Sequence, residues 1–145
     1  MDTNLLIYAR RQEPAEHELA LRLLRELSTG AEPWAIPWPC VYEFIRVVTH
    51  PRVFHPPTPV QEAWEAMKLL MDSPSVVVLS EGDRHRAILD DLLASSPVTG
   101  NLVHDAHIAA LLIEHGVQEI LTNDDDFRRF PKLRVTNPFR SRGAR

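Results

Sequence analysis

Four places in the chain hold carboxylates where a merely solvated acid is out of place. Asp2 stands before Thr3-Asn4 and the apolar Leu5-Leu6-Ile7. Glu43 lies in the run 40–48, where seven of nine residues are apolar. Asp105 precedes Ile108, Ala109 and Leu112 at i+3, i+4 and i+7, which aligns it with an apolar helical stripe. Asp124-Asp125-Asp126 follow directly on the apolar Ile120-Leu121. Adjacent carboxylates repel one another unless a cation sits among them. Oxygen-only donors gathered from distant parts of a chain suit Mg²⁺ or Mn²⁺, which favour carboxylates and water. The chemistry such an ion supports is displacement at phosphorus.

Each acid also has a plain structural use. Asp2 can cap a helix. Glu43 can pair with Arg46 at i+3. Asp105 can complement a helix dipole from the first turn, and a capping Asp suits the turn 122–127. An unpartnered carboxylate in an apolar setting costs several kcal/mol, by order of magnitude, so these acids need partners of some kind.

Elements that position the acids follow from periodicity. Helices are expected at 4–9 (or a turn there), 14–27, 39–48, 60–71, 83–94 and 102–115, the last closed by Gly116. Pro39 suits a first helical turn. Strands are expected at 34–36, 75–79, 118–121 and 133–135, with the three valines of 76–78 read as a buried strand. Pro51, Pro56, Pro57 and Pro59 mark an exposed loop. Strand–helix alternation implies an α/β fold, a short, mostly parallel sheet with helices on both faces. Its chemistry gathers at the carboxyl ends of strands.

The 145 residues suit one domain, expected over 1–138, with a flexible basic tail at 139–145. Cys40 is the single cysteine, which excludes a disulfide framework and cysteine-based metal sites and suits a reducing compartment. No apolar run is long enough for a membrane helix, and a soluble, cytoplasmic protein is expected. The net charge of −4 divides unevenly: residues 128–145 carry seven basic side chains and no acid, leaving −11 on the rest. That basic end suits phosphate contact or a solvated terminus. Trp34, Trp38 and Trp64 fit base stacking or, better, packing. His104 and His107 have a zinc-compatible i, i+3 spacing, which more often reflects packing or surface. Hydrolase-triad, nucleotide-kinase and dinucleotide motifs are absent from the sequence.

Asp2-Thr3-Asn4-Leu5-Leu6, Tyr42-Glu43-Phe44, His104-Asp105-Ala106-His107-Ile108-Ala109-Ala110-Leu111 and Thr122-Asn123-Asp124-Asp125-Asp126-Phe127 resemble the ordered motifs of PIN-domain ribonucleases. The likeness is greatest to VapC-type toxins of bacterial toxin–antitoxin pairs, and His50-Pro51-Arg52-Val53-Phe54 is similar to a segment in an actinobacterial branch of them. The resemblance spans residues 2 to about 138 and implies a PIN-like three-layer fold and an Mg²⁺- or Mn²⁺-dependent endoribonuclease. By motif match, Asp2, Asp105 and Asp124 bind the metal, while Glu43 and Asp126 complete the pocket by holding the attacking water or accepting its proton. Thr122 sets the turn, and Asp125 points outward. Arg46, Arg52, Arg128 and Arg129 are candidates for contact with the RNA backbone. The resemblance also implies a VapB-type antitoxin partner and a homodimer. A non-catalytic PIN-like module that binds RNA or a protein is the alternative. The family's first acid ordinarily ends a buried strand, whereas only Met1 precedes Asp2 here, so an upstream natural start is expected.

Overall fold

The computed structural model describes residues 1–140; the last five residues of the expected tail lie outside the described ones. The order is α1 (Thr3–Arg10), α2 (His17–Thr29), β1 (Trp34–Pro37), α3 (Trp38–Val48), α4 (Val60–Met71), β2 (Val76–Leu79), α5 (His85–Ser95), α6 (Leu102–Glu114), β3 (Glu119–Leu121), a 3-10 turn (Asp125–Arg129) and β4 (Arg134–Thr136). The fold is α/β, as the alternation implies, and the strand ladders form two two-stranded sheets, β1–β2 and β3–β4. The chain divides into two compact units, Met1–Val78 and Leu79 onward. No helix among the described residues is long and apolar enough to cross a membrane.

In the first unit, α3 begins after Pro37 with Pro39 in its first turn, where a missing N–H costs nothing. Its buried residues Cys40, Val41, Phe44 and Val48 recur at helical spacing, so one face is apolar. α1 packs on α2 and α3, burying Leu5, Leu6 and Ile7. α2 opens at His17 rather than at the expected residue 14, with Ala20 buried and Leu19 46% exposed. β2 also departs from expectation. Val76 and Val78 are half-buried and Val77 is 50% exposed, so only Leu79 of this strand is fully buried. The proline loop is exposed but anchored. Arg11 donates to Thr58 Oγ1 and to the carbonyl of Pro56, both at 3.0 Å, with its guanidinium 4.4 Å from the Phe54 ring centroid.

In the second unit, α6 is the central helix. Ala106, Ile108, Ala109, Ala110, Leu111 and Leu112 are all buried, so apolar surface surrounds most of its circumference. Gly116 ends it at φ 73°, a left-handed conformation that glycine adopts without a Cβ clash. β3 and β4 run parallel, with Glu119 opposite Arg134, Ile120 opposite Val135 and Leu121 opposite Thr136. Between them the 3-10 turn drives Phe127 into the interior beside Phe130, ring centroids 6.3 Å apart. Burying each such ring stabilises the fold by about 1.5–3 kcal/mol. The acidic turn is thereby fixed to the strand that precedes it.

Candidate metal centre

Within the second unit three carboxylates converge. Asp105, in the first turn of α6, and Asp124 and Asp126, after β3, each place an oxygen within 4.8 Å of the others. The backbone of the turn accounts for this arrangement. Thr122 is fully buried, and its hydroxyl accepts the N–H of Asp124 at 2.9 Å. Asp124 Oδ1 then accepts the N–H of Asp126 at 2.8 Å, capping the 3-10 turn. Asp105 is held from the other side by the burial of Ile108, Ala109 and Leu112 on its own stripe. Asp125 points away, exposed and paired with Arg128 at 2.9 Å and Arg140 at 3.2 Å. The bond from Arg128, helped by the charge of Arg140, holds its carboxyl below the ordinary value.

The donor chemistry fits a hard divalent ion. All three potential ligands are oxygen, and with the three atoms within 4.8 Å of one another, side-chain adjustment can bring them to the roughly 3 Å spacing of neighbouring oxygens around Mg²⁺. Three anions this close without a cation are mutually destabilising.

Asp2 and Glu43 belong to the first unit. Asp2 is 5% exposed, and its Oδ1 caps α1 by accepting the N–H of Thr3 at 2.7 Å, so the capping use is realised. The Met1 ammonium donates to the carbonyl of Ala35 in β1 at 2.8 Å, which ties this end of the chain to a strand. Glu43 is half-buried; it accepts the Thr3 hydroxyl at 3.0 Å and lies 3.7 Å from Arg46. Cys40 sits beneath these acids. Burial, reinforced by the charge of Asp2, pushes its thiol up to about 12, so it is inert at neutral pH.

Comparison with known proteins places the geometry in a family. The PIN domain family matches residues 1–133. Ribonuclease VapC43 of Mycobacterium tuberculosis is 38% identical over 138 residues, covering 95% of this chain and 93% of that protein. Ribonuclease VapC37 of the same species is 33% identical over 138 residues, covering 95% of each chain. This chain belongs to the PIN-domain family, among the VapC ribonucleases. A crystal structure of VapBC2 from Rickettsia felis, bound to a DNA fragment from their promoter, matches with a TM-score of 0.63 and 19% identity. It covers 93% of this chain and 94% of its own, a likeness of fold.

For this PIN-domain chain the basic candidates divide. Arg46 faces Glu43, Arg128 faces Asp125, and Arg129 donates to Asp126 Oδ1 at 3.0 Å. Arg134 is likewise held by Glu119 at 2.7 Å. Among the described residues of the +7 segment, Arg128, Arg129, Arg134 and Arg140 thus face neighbouring acids. Arg52 is exposed on the proline loop. Trp34 uses its indole N–H on Ser75 Oγ at 3.2 Å, a packing use.

Sequence reasoning missed Glu81, His85 and Glu114. His107 meets Glu81 and His85 rather than His104, which is exposed. Glu114 is 7% exposed in the last turn of α6, where the helix dipole opposes an acid. Desolvation raises its pKa, but the N–H groups of Gly82 and Arg84, each donating at 3.1 Å, reverse the shift to a net lowering. A Cβ on Gly82 would stand 2.6 Å from Glu114 Oε1, so glycine permits the approach. An acid ending an apolar helix was the available signal.

Proposed function

We propose that this protein is a divalent-metal-dependent endoribonuclease, the toxin of a VapBC-type pair. The observation that supports it best is the convergence of Asp105, Asp124 and Asp126, whose donor set suits Mg²⁺ or Mn²⁺. When bound, that ion supplies Lewis acidity toward phosphate oxygens and water. Asp105, Asp124 and Asp126 hold it. Asp2 joins the metal-binding set through its match to the family's first motif. Glu43 and Asp126 orient the attacking water or take its proton, each with its carboxylate steadied by a neighbour: Glu43 by the Thr3 hydroxyl, Asp126 by Arg129. The displaced oxygen leaves as a 3′-hydroxyl and the phosphate stays on the 5′ side of the next nucleotide, as in the family. Arg52 is the remaining exposed candidate for an RNA phosphate.

A VapB-type antitoxin is the proposed partner, and a homodimer of a cytoplasmic protein the proposed state. Light scattering on the purified chain reads the mass directly. The decisive assay is cleavage of cellular RNA with Mn²⁺, with EDTA, and by Asp105→Asn. Cleavage that needs the ion and Asp105 supports the reading. Cleavage that survives both the chelator and the substitution overturns it, and a folded, Mn²⁺-loaded chain that cuts no RNA favours a binding module.

A further inference from the structure

A second donor cluster lies on the same helix as Asp105, with different chemistry. Glu81, in the turn after β2, His85, opening α5, and His107 of α6 place ligand atoms within 4.8 Å of one another. His107 Nε2 and Glu81 Oε1 are 2.6 Å apart, and the rings of His85 and His107 meet edge to face with centroids at 5.3 Å. His85 Nδ1 is buried without a hydrogen-bond partner and faces Glu114 Oε2 at 3.5 Å. Asp105 and His107 are two positions apart, about 200° around the helix axis, so the two clusters occupy opposite sides of α6.

We infer that Glu81, His85 and His107 form a binding site for a borderline transition-metal cation, of which Zn²⁺ is the representative. Two imidazoles and one carboxylate are a common three-ligand zinc set that leaves a fourth position for water. The surrounding structure has the second layer that such sites use. Glu114 lies behind His85 as the carboxylate that orients a ligating imidazole, and it is itself fixed by the Gly82 and Arg84 N–H groups. Two carboxylates and two neutral imidazoles together carry a charge that one divalent cation balances. Tetrahedral zinc needs its nitrogen and oxygen ligands about 3.3 Å apart. The present 2.6 Å contact is a hydrogen bond, the proton standing where the metal would. Glu81 is exposed on a turn, so it can withdraw that small distance without disturbing the core. Imidazole donors disfavour Mg²⁺ here, just as the all-oxygen cluster disfavours zinc.

The test uses the full chain in excess Mg²⁺, which competes at the oxygen cluster, titrated with Zn²⁺ by calorimetry and with Co²⁺ by visible absorption. One equivalent of Zn²⁺ should bind, Co²⁺ should develop the intense bands of a tetrahedral nitrogen–oxygen site, and Zn²⁺ should raise the melting temperature. His107→Gln should weaken Zn²⁺ at least about tenfold. Glu81→Gln, on an exposed turn where folding is not at stake, should do the same. Asp105→Asn should keep the zinc affinity. Zinc binding that ignores both Glu81→Gln and His107→Gln, that disappears with Asp105→Asn, or that is absent from the folded wild-type chain overturns the inference.

Discussion

Two clusters, two residues apart on one helix, solve the problem of close-packed charge in different ways. Asp105, Asp124 and Asp126 are three acids, the outermost of which, Asp126, meets the guanidinium of Arg129. Glu81, His85 and His107 are one acid among two imidazoles, backed by a carboxylate whose oxygens are already held by backbone N–H groups. The first arrangement leaves excess negative charge for a hard ion. The second offers softer nitrogen donors beside one carboxylate, with a further carboxylate behind them. Ligand chemistry, rather than proximity on the helix, decides which ion each can keep.

The comparison is broken most severely at Asp105. Asp105→Asn should lower Mn²⁺-dependent RNA cleavage at least about a hundredfold, since loss of a direct ligand exceeds the 10–100-fold of outer-shell changes. Glu81→Gln should cleave RNA at the wild-type rate in the same assay. Equal losses in the two variants would merge the clusters into one site.

Next in size is Glu114. Glu114→Gln should reduce stability by about 1 kcal/mol in urea unfolding, because two part-buried N–H donors then face an uncharged amide. The folded state holds this carboxyl below its ordinary value, so its contribution is present above the unfolded pKa of about 4.5 and is lost as pH falls through the acid range. A wild-type melting temperature that drops below pH 4.5 more steeply than that of Glu114→Gln checks the sign.

The first unit supplies a smaller effect. Cys40, with its thiol pushed up to about 12, should resist thiol reagents at neutral pH and react only after denaturation. Smallest is the metal-free stability of Asp105→Asn, which should equal or slightly exceed the wild type by a few tenths of a kcal/mol, since one repulsive charge is removed. Thermal melts in EDTA read it.

Much of this was legible in the sequence wherever one local rule governs. Asp105 aligned with Ile108, Ala109 and Leu112 because helix geometry fixes that register, and all three are buried. Residues 60–71 form a helix with the expected bounds, since Pro59 and the following apolar spacing act within one turn of each other. Asp125 was readable as outward from its place between two matched acids, and its pairing with Arg128 and Arg140 agrees. What sequence could not carry were groupings set by tertiary packing. Three valines in a row say nothing of which strand face is covered, and Val77 is exposed. His107 suggested His104 by spacing, whereas its partners come from the turn at 81 and the start of α5. Glu114 carries no local signal of its grouping because its donors lie about thirty residues away.

The central claim is that Asp105, Asp124 and Asp126 share one hard cation. Crystals grown with Mn²⁺ and measured for anomalous scattering test it most directly. A single strong peak within coordination distance of all three carboxylates, removed by Asp105→Asn, is the expected result. Well-ordered crystals at saturating Mn²⁺ with no peak there, or with the ion held elsewhere while RNA is still cut, would contradict it.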